Sequence, residues 1–202
     1  MLHQKLYTMK KIILSLFAGA LALSASAQTT WKVDNSHSNV KFTVTHLVVS
    51  EVEGSFKTYD GLITSSTADF NDAQVSFSVD VNSVNTDNEM RDKHLKSDDF
   101  FNAEKYPKMN FKSTTFKKVD AKNYTLEGDL TIRAVTKRVK FDVTYGGTAG
   151  DGYGNTKAGF KVKGTINRKD YGLLWSKTTE AGGLVVSDEV AIAVNLELVK
   201  AK

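Results

Sequence analysis

The chain has no cysteine and only one proline, Pro107, in 202 residues. Without cysteine there are no disulfides, no thiol catalysis, no zinc thiolate centres and no iron–sulfur clusters, so an exported protein of this kind relies on packing alone. With one proline there is no Ser/Pro linker, and neither a charge run nor an internal repeat marks a second domain. The composition therefore reads as a single domain over 28–202, long enough for a sizeable core. Membrane-length apolar runs are lacking too. The stretch 12–23 follows Lys10 and Lys11 and precedes Ser24, Ala25, Ser26 and Ala27. It is far shorter than the roughly 20 residues of a membrane span, and its order of charged, apolar and small residues predicts a secretory signal over 1–27, cut before Gln28. Met9, directly before the lysine pair, is a candidate true start.

Excess charge is also missing once that leader is removed. Loss of Lys5, Lys10 and Lys11, with no acidic residue, lowers the formal charge from +4 to +1. A chain so nearly neutral has no basic stripe, so nucleic acid is excluded as a partner.

What the chain does have is alternation with a period of two. Over 40–46 one face carries Val40, Phe42, Val44 and His46. The pattern recurs in 75–81 with Phe77 and Val79, in 124–132 with Leu130 and Ile132, and in 139–145 with Phe141 and Val143. Phe160 and Ile166 continue it in 160–166, and Val190 to Leu198 form the last row. With 52–64, which holds Phe56, and 108–118, which holds Phe111, about eight strands result, mostly at hairpin spacing. Short turns favour antiparallel neighbours. The expected fold is all-β, an eight-stranded antiparallel barrel, with a two-sheet sandwich as the alternative; closure removes exposed edges. A membrane barrel would crowd Lys41, Lys112, Lys140, Lys161 and Lys163 into its lumen, which is costly for unpaired charges of one sign. The apolar rows are therefore expected to face inward.

A barrel of this size is either filled by side chains or holds one small ligand, and alternation alone does not choose. The inward rows are rich in phenylalanine and valine and almost free of polar groups, as an apolar pocket requires. Gly54, Gly61, Gly128 and Gly164 fall within strand patterns, where they permit coiling or leave room.

The strands are interrupted by "RDKHLKSDDFFNAEKYP", residues 91–107. Thr86 or Asp87 as a cap, with Glu89 four before Lys93 and Asp92 four before Lys96, predicts a short helical insert over about 87–103. Ser97 is expected to open a second capped turn. Met90, His94 and Phe101 share one helical side with Leu95 beside them, so the insert is expected to close one end of the barrel, with Phe100 or Phe101 pointing in. An edge cover without ligand contact is the alternative.

No catalytic constellation is present. His37 and His46 stand an odd number of residues apart and would face opposite sides of one strand, no zinc-site spacing occurs, and no G-x-S-x-G elbow precedes a helix. Catalytic residues, metal ligands and cofactors are therefore expected to be none. Arg91 with Asp92 and Arg168 with Asp170 are expected as structural loop pairs. The glycine-rich 145–155 reads as a hairpin loop. His46, at the end of an inward row, is either a mouth residue bonded to backbone or water or a donor to a ligand head group, together with His94.

The segments "WKVDNSHSNVKFTVTH", "EGSF", "RDKHLKSDDFFNAEKYPKMNFKS", "GDLTIRAVTKRV" and "NRKDYGL" occur in this order along the chain. In this the chain resembles the YceI-like family, lipocalin-like barrels associated with polyisoprenoid lipids. The resemblance implies an exported, periplasmic binding protein, monomer or homodimer, whose barrel holds a long isoprenoid or fatty chain with the insert near the entrance; transient membrane contact is compatible with it. It implies a prenylated quinone, a prenyl diphosphate or a fatty-acid derivative as ligand. The chain departs from the family pattern at Arg133-Ala134, where a glycine is more usual before Val135. A chain of about sixteen carbons gains on the order of 13 kcal/mol by burial, and association costs several to over ten of these, so only a long tail would bind well.

Overall fold

The computed structural model describes residues 28–180 and 182–202; the leader expected over 1–27 lies outside them. Alternation becomes a continuous antiparallel ladder. The strands are β1 (Thr29–Val33), β2 (Asn39–His46), β3 (Ser50–Phe56), β4 (Tyr59–Ser65), β5 (Gln74–Asp80) and β6 (Val84–Asn85), followed by helix α1 (Glu89–Lys96). Then come β7 (Lys108–Lys118), β8 (Asn123–Ile132), β9 (Val135–Gly150), β10 (Thr156–Asn167) and β11 (Glu189–Lys200).

Three long strands are each broken once. β1 and β2, β3 and β4, and β5 and β6 act as halves of single staves, pairing β1 with β4, β4 with β5, β2 with β3 and β3 with β6. Counted this way the chain is an eight-stranded closed antiparallel barrel, as expected. Closure falls on β11, which pairs β10 along its length on one edge. On the other edge it pairs β2 through 191–195 and β1 through 198–200. The gap between those two partners is bridged by a side chain: Glu197 N donates to Ser38 Oγ at 3.0 Å, while Asp34 N donates to Glu197 O at 2.8 Å. No strand edge is left open there.

The single strand expected over 52–64 bends at 57–58, where Lys57 N and Thr58 N both donate to Ser83. The expected hairpin loop over 145–155 is shorter than foreseen. Tyr145–Gly150 belongs to β9 and pairs with β10, past an irregularity beside Gly159. Glycines weaken a strand, but their backbone groups still take ladder bonds. In the β8–β9 turn it is Arg133 that takes the left-handed conformation, φ 55°, and not Ala134, so the departure from the family's glycine costs nothing at residue 134.

One end of the barrel is sealed by the β4–β5 loop. Phe70, 2 % exposed, sits with ring centroids 5.3 Å from Trp31 and 5.1 Å from Phe160. The loop is held both by bonds within itself and by bonds to β7 and β8. Asp72 accepts from Ser65 Oγ, Ser66 N and Thr67 Oγ1, and Tyr124 Oη donates to Asp69 O at 2.6 Å. The opposite end carries α1, the 3₁₀ turn Arg168–Tyr171 and the segment 172–188.

Candidate ligand-binding site

Inside the barrel lies a cavity of about 380 Å³, within the roughly 300–1,000 Å³ of small-molecule sites. The inward rows form its wall: Phe42, Val44 and His46 from β2, Phe56 from β3, Phe77 and Val79 from β5, Phe111 from β7, Leu130 and Ile132 from β8, Phe141 and Val143 from β9, and Phe160 and Ile166 from β10. Phe70 and Phe116 lie at its sealed base. At the mouth it is lined by His94, Leu95, Phe100 and Phe101 of the insert and by Leu173, Trp175, Val185 and Val186 of the segment 172–188.

Four glycines explain why so many phenylalanines leave the middle empty. A Cβ built on Gly54 would stand 2.2 Å from Phe42 Cζ; on Gly61, 2.6 Å from Phe77; on Gly128, 2.4 Å from Phe111; on Gly164, 2.4 Å from Phe141. Each ring therefore occupies the place of a missing side chain on a neighbouring strand and lies along the wall. This use of strand glycines for close approach keeps large apolar residues in the barrel without filling it.

The insert is built differently from expectation in three respects. Asn88, rather than Thr86 or Asp87, caps α1, its Oδ1 accepting from Arg91 N at 2.9 Å. Ser97 does open a second turn, its carbonyl accepting from Phe100 N at 3.1 Å, but its Oγ donates back to His94 O at 2.7 Å and so closes the helix instead of capping that turn. Met90 is 84 % exposed and does not line the cavity. The reason is that Arg91 and Leu95, one turn apart, form the side of this short helix that meets the barrel. Beyond it the chain folds back, Phe101 N donating to Leu95 O at 3.0 Å, and Phe101 packs 5.9 Å from Phe56.

Neither expected arginine pair forms. Arg91 and Asp92 meet through a third residue, Thr86, 5 % exposed. Arg91 Nε donates to Thr86 Oγ1 at 2.7 Å and Nη2 to Thr86 O at 2.6 Å, while Thr86 N and Oγ1 donate to Asp92 Oδ1 at 2.9 and 2.5 Å. Arg168 pairs with Asp188 at 3.1 Å, not with Asp170. Arg168 is 4 % exposed, and its other donors hold the mouth segment: Nε to Ser187 O at 2.9 Å, Nη1 to Leu173 O at 2.6 Å and Trp175 O at 2.7 Å. Burial pulls its guanidinium below the ordinary value and Asp188 opposes that. Asp170 lost to the distant Asp188 because the backbone turn at Arg168–Tyr171 aims the guanidinium into the fold. Thr86, Trp175 and Phe70 were not foreseen as parts of the site; a lone tryptophan in "LLW" and a phenylalanine among Ser, Thr and Asp were the only signals.

His94 Nε2 lies 2.8 Å from Asp99 Oδ2, and its ring meets Phe100 at 5.1 Å and Trp175 at 5.3 Å, both edge-on. It ties the insert to the mouth segment. His46 lies at the mouth, opposite Val186 in an isolated bridge. Burial pushes the Tyr171 hydroxyl up to about 12; its oxygen is the buried side-chain polar atom left without a partner among the described residues. Away from the cavity, Asp34, His37 and Glu197 converge with ligand atoms within 4.8 Å of one another. The Lys157 ammonium already sits there, 2.6 Å from Asp34 and 3.1 Å from Glu197.

A closed up-and-down barrel with a sealed base, an apolar lumen and a helical insert at the mouth belongs to the ligand-binding barrels in architecture. The YceI-like domain model matches residues 31–198, and the chain belongs to that family. A UPF0312 protein of Pectobacterium carotovorum is 36 % identical over 198 residues, covering 96 % of this chain and all of the relative. The solved YCEI protein of Campylobacter jejuni superposes with a TM-score of 0.65 at 32 % identity, covering 78 % of this chain and 90 % of that one. A polyisoprenoid-binding domain from Saccharophagus degradans shares the fold, with a TM-score of 0.59 at 18 % identity over 85 % of this chain and 98 % of that one. No helix of the described residues is long and apolar enough to cross a membrane.

Proposed function

We propose that this chain binds, without catalysis, a long-chain amphiphilic lipid in the barrel lumen: a polyisoprenoid, a prenylated quinone or a fatty-acid derivative. The observation that carries this is the 380 Å³ cavity, sealed at Phe70, walled by phenylalanine and aliphatic side chains and opening between the insert and the mouth segment. An apolar chain entering it gains about 0.8 kcal/mol per buried methylene. The Saccharophagus domain of the same fold is named for polyisoprenoid binding, which supports the reading. The role is transport, storage or sequestration of that lipid in the cell envelope, after export on the leader 1–27 into the periplasm.

The residues proposed to touch the tail are the inward rows from Phe42 to Ile166 together with Leu95, Phe100 and Phe101, while Met90 points to solvent. Native mass spectrometry of protein purified from its own envelope should show a bound lipid, affinity should rise with chain length, and the mature chain should begin at Gln28. Empty protein with no chain-length dependence would overturn the reading. Enzyme chemistry at the mouth is the less favoured reading, because His94 is committed to Asp99 and two aromatic rings.

A further inference from the structure

Two arginines line the cavity, and they are used differently. Arg168 has Asp188 and three backbone carbonyls. Arg91 is half-buried at the mouth and forms no ion pair among the described residues. A guanidinium carries five N–H donors in a fixed fork. Arg91 commits Nε and one Nη2 hydrogen to Thr86, and Nη1 meets no acceptor among the described residues.

Arg91 is held in place although it meets no carboxylate directly among the described residues. Asp92 takes the Thr86 hydroxyl proton at 2.5 Å, which turns that oxygen's lone pairs toward Arg91 Nε at 2.7 Å. The Thr86 carbonyl holds Nη2. Thr86 itself is fixed, being buried against Gly54, whose built Cβ would stand 2.8 Å from Thr86 Cγ2. The acid of this group, Asp92, reaches the guanidinium only through Thr86, and Asp99 of the same insert is spent on His94. A half-buried guanidinium whose remaining N–H donors are unfilled is incompletely satisfied, and a fork of free N–H groups matches the paired oxygens of a carboxylate or phosphate.

We propose that Arg91 is the head-group anchor of the lumen: its free N–H groups take the anionic oxygens, carboxylate or phosphate, of an amphiphile whose chain lies in the cavity. This rests on the lipid-binding reading above and adds the class of head group to it. Asp92 and Thr86 are positioning residues in this scheme.

The test is calorimetric titration of the mature chain with hexadecanoate, hexadecyl phosphate and hexadecanol, which share one tail and differ in the head. The wild-type protein should bind both anionic ligands about tenfold or more tighter than the alcohol. In Arg91→Gln that ratio should fall close to one, and Arg91→Lys, which keeps the charge but not the fork, should fall between. Inorganic phosphate alone should bind far more weakly than hexadecyl phosphate; equal binding would assign the site to a free anion and overturn the proposal. A wild-type protein that takes all three amphiphiles alike, or an Arg91→Gln protein that still discriminates, would overturn the anchor while leaving the lumen as a lipid site. Failure of all three to bind would remove both. The wild-type comparison decides the question even if the variants do not fold.

Discussion

The ring of Phe42 rests against Gly54, its cross-strand partner, so closely that a Cβ on the glycine would stand 2.2 Å from Cζ. The same relation joins Phe77 to Gly61, and Phe111 and Phe141 to Gly128 and Gly164 on neighbouring strands. Volume in the lumen thus depends on volume absent from the wall.

Gly54→Ala should push Phe42 off the wall and into the cavity. Overpacking of this kind costs about 1–3 kcal/mol, of which a few tenths return through the lower entropy of the unfolded chain. The urea midpoint should fall and uptake of an apolar fluorescent probe should drop. Gly159→Ala, where the nearest atom to a built Cβ is 4.0 Å away, should leave the midpoint within about 0.5 kcal/mol of wild type.

Phe70→Ala should unseal the base. Removing a fully buried phenylalanine costs about 3–5 kcal/mol, measurable by urea unfolding. Acrylamide should also quench the fluorescence of Trp31 more strongly in the variant, because Phe70 is the ring that covers it at 5.3 Å.

Acid should weaken the fold through its carboxylates. The Lys157 ammonium, first among the causes, holds Asp34 down to about 2, and Ser65 and Ser66 hold Asp72 well below the usual carboxylate range. Both groups are charged more readily in the folded than in the unfolded chain, whose aspartates titrate near 3.9. Their contribution is present in full above about pH 4 and is lost as pH falls toward 2. Urea midpoints measured from pH 6 to pH 2 should decline through that window, and less steeply in Asp34→Asn.

Arg168→Met should release the mouth. It deletes the bonds to Leu173 O, Trp175 O and Ser187 O and takes from Asp188 one of its two cations, leaving Lys169 at 2.9 Å. A buried carbonyl left without its donor costs about 1–3 kcal/mol, so the loss should be several times smaller than that of the whole fold but local to the mouth. Amide exchange should accelerate across 172–188 more than in the barrel strands, and proteolysis should begin there.

Much of this is legible in the sequence. The inward rows of β2, β5, β8, β9 and β10 were read from alternation, because a barrel wall with one buried face imposes a period of two on every strand. Strand breaks were not legible: nothing in 52–64 marks the bend at Lys57, which is set by Ser83 from another stave. Met90 was misplaced because helical spacing gives the angle of a residue but not how far the helix extends past the rim.

The sequence by itself determined an all-β chain with oily inward rows and with glycines set among its strands. Tertiary structure alone decided that those rows enclose a space, that Phe70 closes it, and that Arg168 takes Asp188 while Arg91 takes no acid among the described residues. Alternation is a local property that each strand carries alone. Whether a ring lies along a wall or across a lumen, and which charge an arginine meets, depends on register between residues far apart in the chain.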